Sequence, residues 1–416
     1  RKNYFYPDLP KAYQISQYDL PLAEGGEIVI TGDDGAPKRI RITRLHLEED
    51  AGKLVHSAAD GRLEGAERSF VDYNRGGVPL AEIVSEPDMS SPREAREYVQ
   101  TLRRLVRYLG VSDGDMEKGS LRVDANISLK KVDGATGDLL FWGERSEVKN
   151  MNSLRAVERA LAYEIERQRI LMERGGTPER ETRHWNDGAG VTTAMRSKEA
   201  ANDYRYFPDP DLPPMLVTEA MEERERRALP EMPWKKAERF TEQYGLPAAD
   251  VEVLVESLPL ADYFEACVAA GASPLRASNW VRVEVFRVMN ERKLPADAFP
   301  VAALSLGRLV AMVDEKKLST TVAREVFDAM AGGKSLDEAL KGAGAAQGGI
   351  ASEALEGIIR AVVAQNPDVL DEIRSGKDGS GKKRKFLTGL VMKETRGQAD
   401  GKQVQAILDS VLGELL

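Results

Sequence analysis

Hydrophobic positions along the chain change period near Val217. Upstream they mostly alternate with polar residues, as half-buried strands require; downstream they recur at helical spacing. From Gly25 to Glu49, Ile28 and Ile30 alternate, Asp33-Asp34-Gly35 supplies a turn, and Ile40 and Ile42 resume the pattern, which predicts a β-hairpin. The phase then slips: Leu45 and Leu47 alternate with His46, and a bulge near Thr43-Arg44 accounts for the extra residue. Further on, an apolar run, Val78–Val84, lies between the turns Asn74-Arg75-Gly76-Gly77 and Glu86-Pro87-Asp88. A strand there puts Leu80, Glu82 and Val84 on one face and Ala81 and Ile83 on the other. Ser91-Pro92-Arg93-Glu94 has the form of a capping box with proline at the first helical position, and Tyr98, Leu102, Leu105, Val106 and Leu109 give the following helix its stripe. Leu121–Lys130 alternates along its whole length, with Arg122, Asp124 and Asn126 on the polar face. Glu144–Asn150 predicts a second polar strand, in which Glu147 and Lys149 share a side. Asn152 or Ser153 caps a helix running to Arg174, and Thr182–Trp185 with Val191–Met195 forms another hairpin.

Two stretches are rich in proline: in residues 1–24 it forbids a long helix, and Asp203–Pro214 is too proline-rich for regular structure. Residues 1–24 contain Pro7, Pro10 and Pro21; they either cover a surface or line a ligand pocket with Arg1, Lys2, Tyr4 and Gln17. Asp203–Pro214 holds Arg205 among paired aromatics, which either clamp a planar or phosphorylated ligand or fasten the end of a domain. Beyond Val217, Trp234–Tyr244, Ala249–Ser257, Pro259–Ala270, Asn279–Glu291 and Leu304–Glu315 all read as helices. Gly342–Gly349 reads as a flexible linker before a last unit. That unit has ten basic and ten acidic residues from 351 on, yet its basic ones cluster at Lys377, Lys382-Lys383-Arg384-Lys385, Lys393 and Arg396. Such a run beside Gly381 and Phe386 is either a solvated charge cluster or a phosphate-backbone contact.

Composition narrows the class. A chain of 416 residues accommodates about two to four domains. No apolar run approaches the ~20 residues a membrane span needs. The single Cys267 excludes an internal disulfide framework and fits a reducing, cytoplasmic setting. The net charge of −9 argues against a protein coated in nucleic acid, while leaving room for a local basic face. Asp328–Ser335 lacks the first glycine of a phosphate-binding loop, and Ser335 with Glu338 reads instead as a capping box. With His46, His56 and His184 as the only histidines, a His-rich metal centre is excluded, so a bound metal would be a hard, Mg²⁺-like ion held by carboxylates. Glu82 points with core-type side chains, so it must be protonated, paired with a cation or bound to a metal. Glu49, in phase with Leu45 and Leu47, is a second strand-borne carboxylate expected in the same layer.

Six stretches occur in order: RKNYFYPDLPKAYQISQYD, ITRLHLEEDAGK, DYNRGGVPLAEIVSEPD, MEKGSLRVDANIS, EVKNMNS and DYRYFPDPDLPP. Together they resemble the GatB family, which belongs to the tRNA-dependent amidotransferase complexes GatCAB, over essentially the whole chain. The resemblance implies an α+β protein. A mainly antiparallel-sheet cradle domain would span residues 1–217, an all-α helical domain 218–341, and a small helical YqeY-like tail 350–416, after a linker at 342–349. It implies a ligase that uses ATP and Mg²⁺ to phosphorylate the side-chain carboxylate of Glu-tRNA(Gln), Asp-tRNA(Asn) or both. Ammonia made from glutamine by the amidase GatA would then displace the phosphate, in a heterotrimer with the small protein GatC. It implies Glu49 and Glu82 as metal ligands and Glu117, Arg122, Asp124, Glu147, Lys149 and Arg205 as catalytic positions, with Arg122 and Lys149 holding the anions. It further implies a tail that touches misacylated tRNA, through Lys382, Lys383, Arg384 and Lys385. A motif resembling GLEIHVQL, from which the family takes a further Glu and His, is absent, and the chain reads as entered within the following stretch. The competing readings are a non-catalytic tRNA-binding adaptor and a purely structural subunit. Against the adaptor, a passive RNA groove has no use for Glu49 and Glu82.

Overall fold

The computed structural model describes residues 1–57, 67–195, 204–343, 352–375, 381–395, 399 and 401–415. Its contacts divide the chain into Arg1–Pro230 and Glu231–Leu416. The alternating region becomes short strands and two helices. In order these are β1 (Lys2–Asn3), β2 (Tyr13–Gln14), β3 (Ala23–Thr31), β4 (Pro37–Glu49), β5 (Lys53–His56), β6 (Ser69–Asp72), β7 (Pro79–Ser85), α1 (Pro92–Tyr108), β8 (Ala125–Ile127), β9 (Lys130–Val132), β10 (Leu139–Trp142), β11 (Ser146–Lys149), α2 (Leu154–Glu173), β12 (Glu181–Asn186) and β13 (Val191–Ala194). The helix α3 (Glu219–Ala228) ends the unit.

Two sheets position the chemistry. One is antiparallel in the order β3-β4-β7, the other runs β13-β12-β11-β8 with β11 and β12 parallel across α2. The expected bulge is present: the β4–β7 register shifts between Ile42 and Arg44, and Gly25 on β3 takes φ 70°, a left-handed value that glycine adopts without strain. Ile30 and Ile40 of the first sheet and Val148 and Trp185 of the second bury against Tyr98 and Leu102 of α1 and Val157 and Leu161 of α2 in one core. Each sheet therefore keeps a second face away from this core.

Some sequence expectations shift in detail. Residues 121–127 alternate in burial as expected, but only Ala125–Ile127 pair as a strand. Ser91 caps α1 through the Glu94 N–H, whereas the Glu94 carboxylate turns to the Ser90 N–H (2.8 Å) and Lys38 (2.7 Å) instead of closing a reciprocal box. The α2 stripe continues past Leu161 into buried polar residues, Glu164 and Gln168. Glu164 accepts from Arg167 (2.6 Å), Gln168 (3.0 Å) and Thr192 (3.0 Å), and Arg183 lies 3.4 Å away.

The second unit is helical throughout its described residues: α4 (Pro233–Tyr244), α5 (Ala248–Leu254), α6 (Leu258–Ala269), α7 (Pro274–Trp280), a π-turn over Val281–Val285, α8 (Phe286–Arg292), α9 (Ala303–Asp314), α10 (Thr320–Ala331) and α11 (Leu336–Gly342) enclose one core. The capping box at Ser335 and Glu338 forms as expected. α12 (Ser352–Ala364), α13 (Pro367–Arg374), α14 (Lys382–Glu394) and α15 (Gly401–Leu415) enclose another, around Leu355, Ile359, Leu387 and Leu408. The expected linker falls almost wholly outside the described residues. No helix among the described residues is long and apolar enough to cross a membrane.

Candidate functional site

Past its bulge, β4 presents Arg44, His46 and Glu48 on one face, opposite Val84, Glu82 and Leu80 of β7. His46, Glu48 and Glu82 each bring a ligand-type atom within 4.8 Å of the others. His46 is fully buried, and neither ring nitrogen has a hydrogen-bond partner. Its Nε2 lies 3.4 Å from Glu48 Oε1 and 3.8 Å from Glu82 Oε2. Glu48 is held from behind: Ser16 Oγ donates to its Oε1 (2.7 Å) and Gln14 Nε2 to its Oε2 (3.0 Å). These residues come from the proline-rich N-terminal segment, which lays Ile15–Gln17 along β4 through Glu49 N–H to Ile15 O (3.2 Å) and Gln17 N–H to Leu47 O (2.9 Å). Of the N-terminal pocket candidates, Gln17 accepts from the Leu47 N–H (3.0 Å) and Lys2 lies 3.8 Å from Glu48, whereas Arg1 is tied to Asp209 (2.7 Å) and Tyr4 to Asp8 (3.3 Å).

The expected partnership of Glu49 with Glu82 is corrected. Glu49 does share a phase with Leu45 and Leu47, but Glu82 stands directly across the ladder from His46, so the two carboxylates lie on opposite faces of the sheet. Glu49 accepts from the Ile15 N–H (2.8 Å) and pairs with Lys11. Nor does Glu82 point into the core: its side chain is 47% exposed. Sequence reasoning missed His46 and Glu48. The signal available was their spacing of two along a strand whose phase had already slipped.

The remaining site candidates fall into separate groups. Lys149 bridges Asp124 (2.5 Å) and Glu147 (3.0 Å) on the solvent face of the second sheet, where Thr182 also donates to Glu147 (3.0 Å). Burial works against the Lys149 ammonium, but its bonds to Asp124 and then Glu147 outweigh that and leave its pKa raised. Arg122 instead donates to Asp50 (2.8 Å), which Arg75 also approaches (3.4 Å). Glu117 sits on an exposed turn. Arg205 is exposed with φ 47°, a left-handed backbone uncommon for a non-glycine residue. Beside it, Tyr206 stacks on Tyr18 (5.2 Å between centroids), and Tyr18 meets the His46 ring edge-on (6.0 Å). Burial, then the charge of Glu48, pushes the Tyr206 phenol up to about 12. In the last unit, Lys382–Lys385 form the first turn of α14. Lys383 pairs with Glu372 and Arg384 with Asp409 (3.0 Å), while Lys382 and Lys385 are exposed. Lys377 and Arg396 lie outside the described residues.

The His46 face is suited to a divalent cation. Two carboxylate groups supply the charge, and a buried imidazole nitrogen without a hydrogen-bond partner supplies a lone pair. Positioning of Glu48 by Ser16 and Gln14 has the form of outer-shell support for a metal ligand. Elsewhere, a cleft lined by Arg276, Trp280, Glu284 and Arg324 has its charges paired internally, Arg276 with Asp314 (2.6 Å) and Arg324 with Glu284 (2.7 Å). Cys267 is buried, and burial pushes its thiol up to about 12.

Residues 1–223 match the family model described as the GatB/GatE catalytic domain, and residues 262–412 match the GatB domain. A protein of Thermoanaerobacter sp. (strain X514), named as an aspartyl/glutamyl-tRNA(Asn/Gln) amidotransferase subunit, is 48% identical over 416 residues, covering 100% of this chain and 84% of its own length. Proteins of the same name from Thermotoga maritima and Synechococcus elongatus are 48% identical over 414 residues and 46% over 418, covering 99% of this chain and 83% and 82% of their own lengths. On both the domain matches and the near-full-length identities, the chain belongs to the GatB family.

Proposed function

We propose that this chain is the component of an aspartyl/glutamyl-tRNA amidotransferase that activates the side-chain carboxylate of a misacylated tRNA with ATP. The observation that carries the reading is the face of β4 and β7, where His46, Glu48 and Glu82 converge and the buried imidazole nitrogens have no hydrogen-bond partner. His46, Glu48 and Glu82 would hold Mg²⁺. When bound, the ion would supply charge neutralisation at the phosphate oxygens.

In the first step, a carboxylate oxygen of tRNA-borne glutamate or aspartate attacks the γ-phosphorus of ATP. The new O–P bond forms as the bond to the bridging oxygen breaks, and ADP leaves with that electron pair. Ammonia then adds to the acyl carbon, phosphate departs, and the nitrogen loses a proton, leaving the amide. The chain's residues orient these anions and stabilise charge. Tyr18 and Tyr206 stand beside the cluster, Tyr18 edge-on to His46 and stacked on Tyr206. Arg122 and Lys149, already met by Asp50 and by Asp124 with Glu147, are proposed to reach anionic substrate groups by exchanging those partners. Glu117 and Arg205 are proposed as contacts to the acceptor end of the tRNA, and Lys382 to Lys385 as contacts to its backbone. The amidase GatA and the small protein GatC are the proposed partners, the first as the ammonia source.

The test is Glu82→Gln in the full-length protein within its complex. ATP-dependent amidation is expected to disappear while glutamine hydrolysis continues. Normal amidation in that variant would refute the assignment and leave a tRNA-binding adaptor as the better account.

A further inference from the structure

We propose that Arg44 is the anion-binding residue of the β4 face and that it holds the phosphoryl group transferred beside His46, Glu48 and Glu82. The inference rests on the reading of that face as the site of carboxylate activation.

Three observations converge on Arg44. The first is placement. The bulge at Thr43 puts Arg44 two residues from His46 on the same face, across the ladder from Val84 and therefore next to Glu82. The second is an unmet bonding demand. Arg44 Nε is buried without a hydrogen-bond partner, as are both nitrogens of His46. Three of the nine such atoms among the described residues thus lie on two neighbouring side chains. A buried donor without a partner is costly, and a ligand acceptor removes the cost. The third is orientation. The guanidinium carbon sits 4.4 Å over the Tyr18 ring, and Tyr18 stacks on Tyr206. This cation–π contact uses the face of the guanidinium and leaves its N–H donors for an acceptor. Glu24 stands across from Arg44 on β3, yet among the described residues no ion pair joins them. Arg44 is thus unlike Arg122 and Lys149, whose charges carboxylates already meet.

The chemistry that suits this arrangement is a phosphoryl dianion. A planar fork of N–H donors matches two phosphate oxygens. A guanidinium beside a cation-binding cluster would answer the charge that spreads over the equatorial oxygens during transfer. The phosphate could be the terminal group of a nucleoside triphosphate or the free phosphate released afterwards; both present the same oxygens.

Arg44→Ala and Arg44→Lys in the full-length protein, assembled with its partners, test the proposal through calorimetric titration with ATP, ADP and inorganic phosphate in the absence of tRNA. Arg44→Ala is expected to weaken ATP and inorganic phosphate about ten- to hundredfold, as loss of charge-assisted hydrogen bonds does, with ADP changed far less. Arg44→Lys should recover part of the ATP affinity, because it restores charge without the fork. In steady state, kcat for amidation should fall more than KM for ATP rises. Unchanged ATP binding and kcat in a folded Arg44→Ala protein, with Glu82→Gln inactive, would overturn the role of Arg44 alone. Equal losses for ADP and ATP would overturn its assignment to the transferred group. A loss of tRNA affinity with nucleotide binding intact would overturn it in favour of a backbone contact. Full activity of Glu82→Gln would remove the site reading itself, which separates the two failures. Should Arg44→Ala melt early, Arg44→Lys alone decides: wild-type ATP affinity and kcat in that variant would refute the phosphate fork.

Discussion

Replacing His46 by leucine tests the site without any catalytic assay. His46 is fully buried and both ring nitrogens lack hydrogen-bond partners, so without a bound cation the folded chain bears the desolvation of at least one polar group. That cost is about 1–3 kcal/mol per buried unsatisfied group. Leucine is close to histidine in volume and has no polar atoms, so it removes the cost without opening a cavity. In EDTA, His46→Leu is therefore expected to be more stable than wild type. At roughly 2–4 °C per kcal/mol for a unit of this size, its melting temperature should rise by about 2–12 °C. Metal reverses the order. A cation that binds only the folded state at a hundred times its Kd stabilises wild type by about 2.7 kcal/mol and should leave His46→Leu unmoved. The assay is differential scanning fluorimetry of the full-length chain with and without millimolar Mg²⁺ or Mn²⁺. A lower melting temperature for His46→Leu in EDTA would show that protein partners already satisfy the imidazole. A wild type that ignores both metals would show that the cluster does not bind them.

Three further outcomes follow from charges already placed. Glu164→Ala should cost about 1–3 kcal/mol in urea unfolding, because it removes the buried acceptor of Arg167, Gln168 and Thr192, while Glu181 still pairs with Arg167 and Arg183. Glu265 is disfavoured as an anion by burial, but bonds from Arg239 and Lys236 prevail and hold its carboxyl at about 2 rather than 4.5. A depressed folded pKa contributes stability above the unfolded value, lost as pH falls from 4.5 toward about 2; Glu265→Gln should flatten the stability curve in that window, and an unchanged acid limb would refute the linkage. Combined Lys382→Ala and Lys385→Ala should lower the slope of log affinity for tRNA against log salt by about 1.4–1.8; an unaltered slope would make the α14 run a solvated cluster.

Much of the fold is legible in the sequence, because periodicity reports burial directly. The hairpin of β3 and β4, its bulge, α1, α2 and the helical second half all sit where apolar spacing places them. What periodicity does not report is which partner a strand meets and in what register. Glu49 and Glu82 each have a correct local phase, yet their relation depends on the β4–β7 ladder, a long-range pairing no local pattern encodes. The buried Glu164 network was hidden for a similar reason: two polar residues continuing a helical stripe look like its end until the facing strands supply Arg183 and Thr192. The N-terminal segment is the opposite case. Its prolines forbid a long helix, and the chain lies along β4 at Ile15–Gln17 and delivers Ser16 and Gln14 to Glu48.

The adjacent pair Glu48 and Glu49 turns this lesson into a test of register. The two carboxylates differ by one position, so a strand must send them to opposite faces. Glu48 faces His46 and is fixed by Ser16 and Gln14; Glu49 faces Lys11 and the Ile15 N–H. If β4 pairs with β7 through His46 and Glu82, Glu48→Gln should abolish the metal-dependent rise in melting temperature and Glu49→Gln should preserve it. Glu49→Gln should instead lower stability equally with and without metal, since it weakens the attachment of the N-terminal segment to β4. Glutamine keeps the shape of either side chain, so differences in packing do not confuse the comparison. The reverse result, with metal response lost in Glu49→Gln and kept in Glu48→Gln, would mean that the ladder is shifted by one residue. Arg44 and His46 would then leave this face together with Glu48, and the assignments of all three would fall at once.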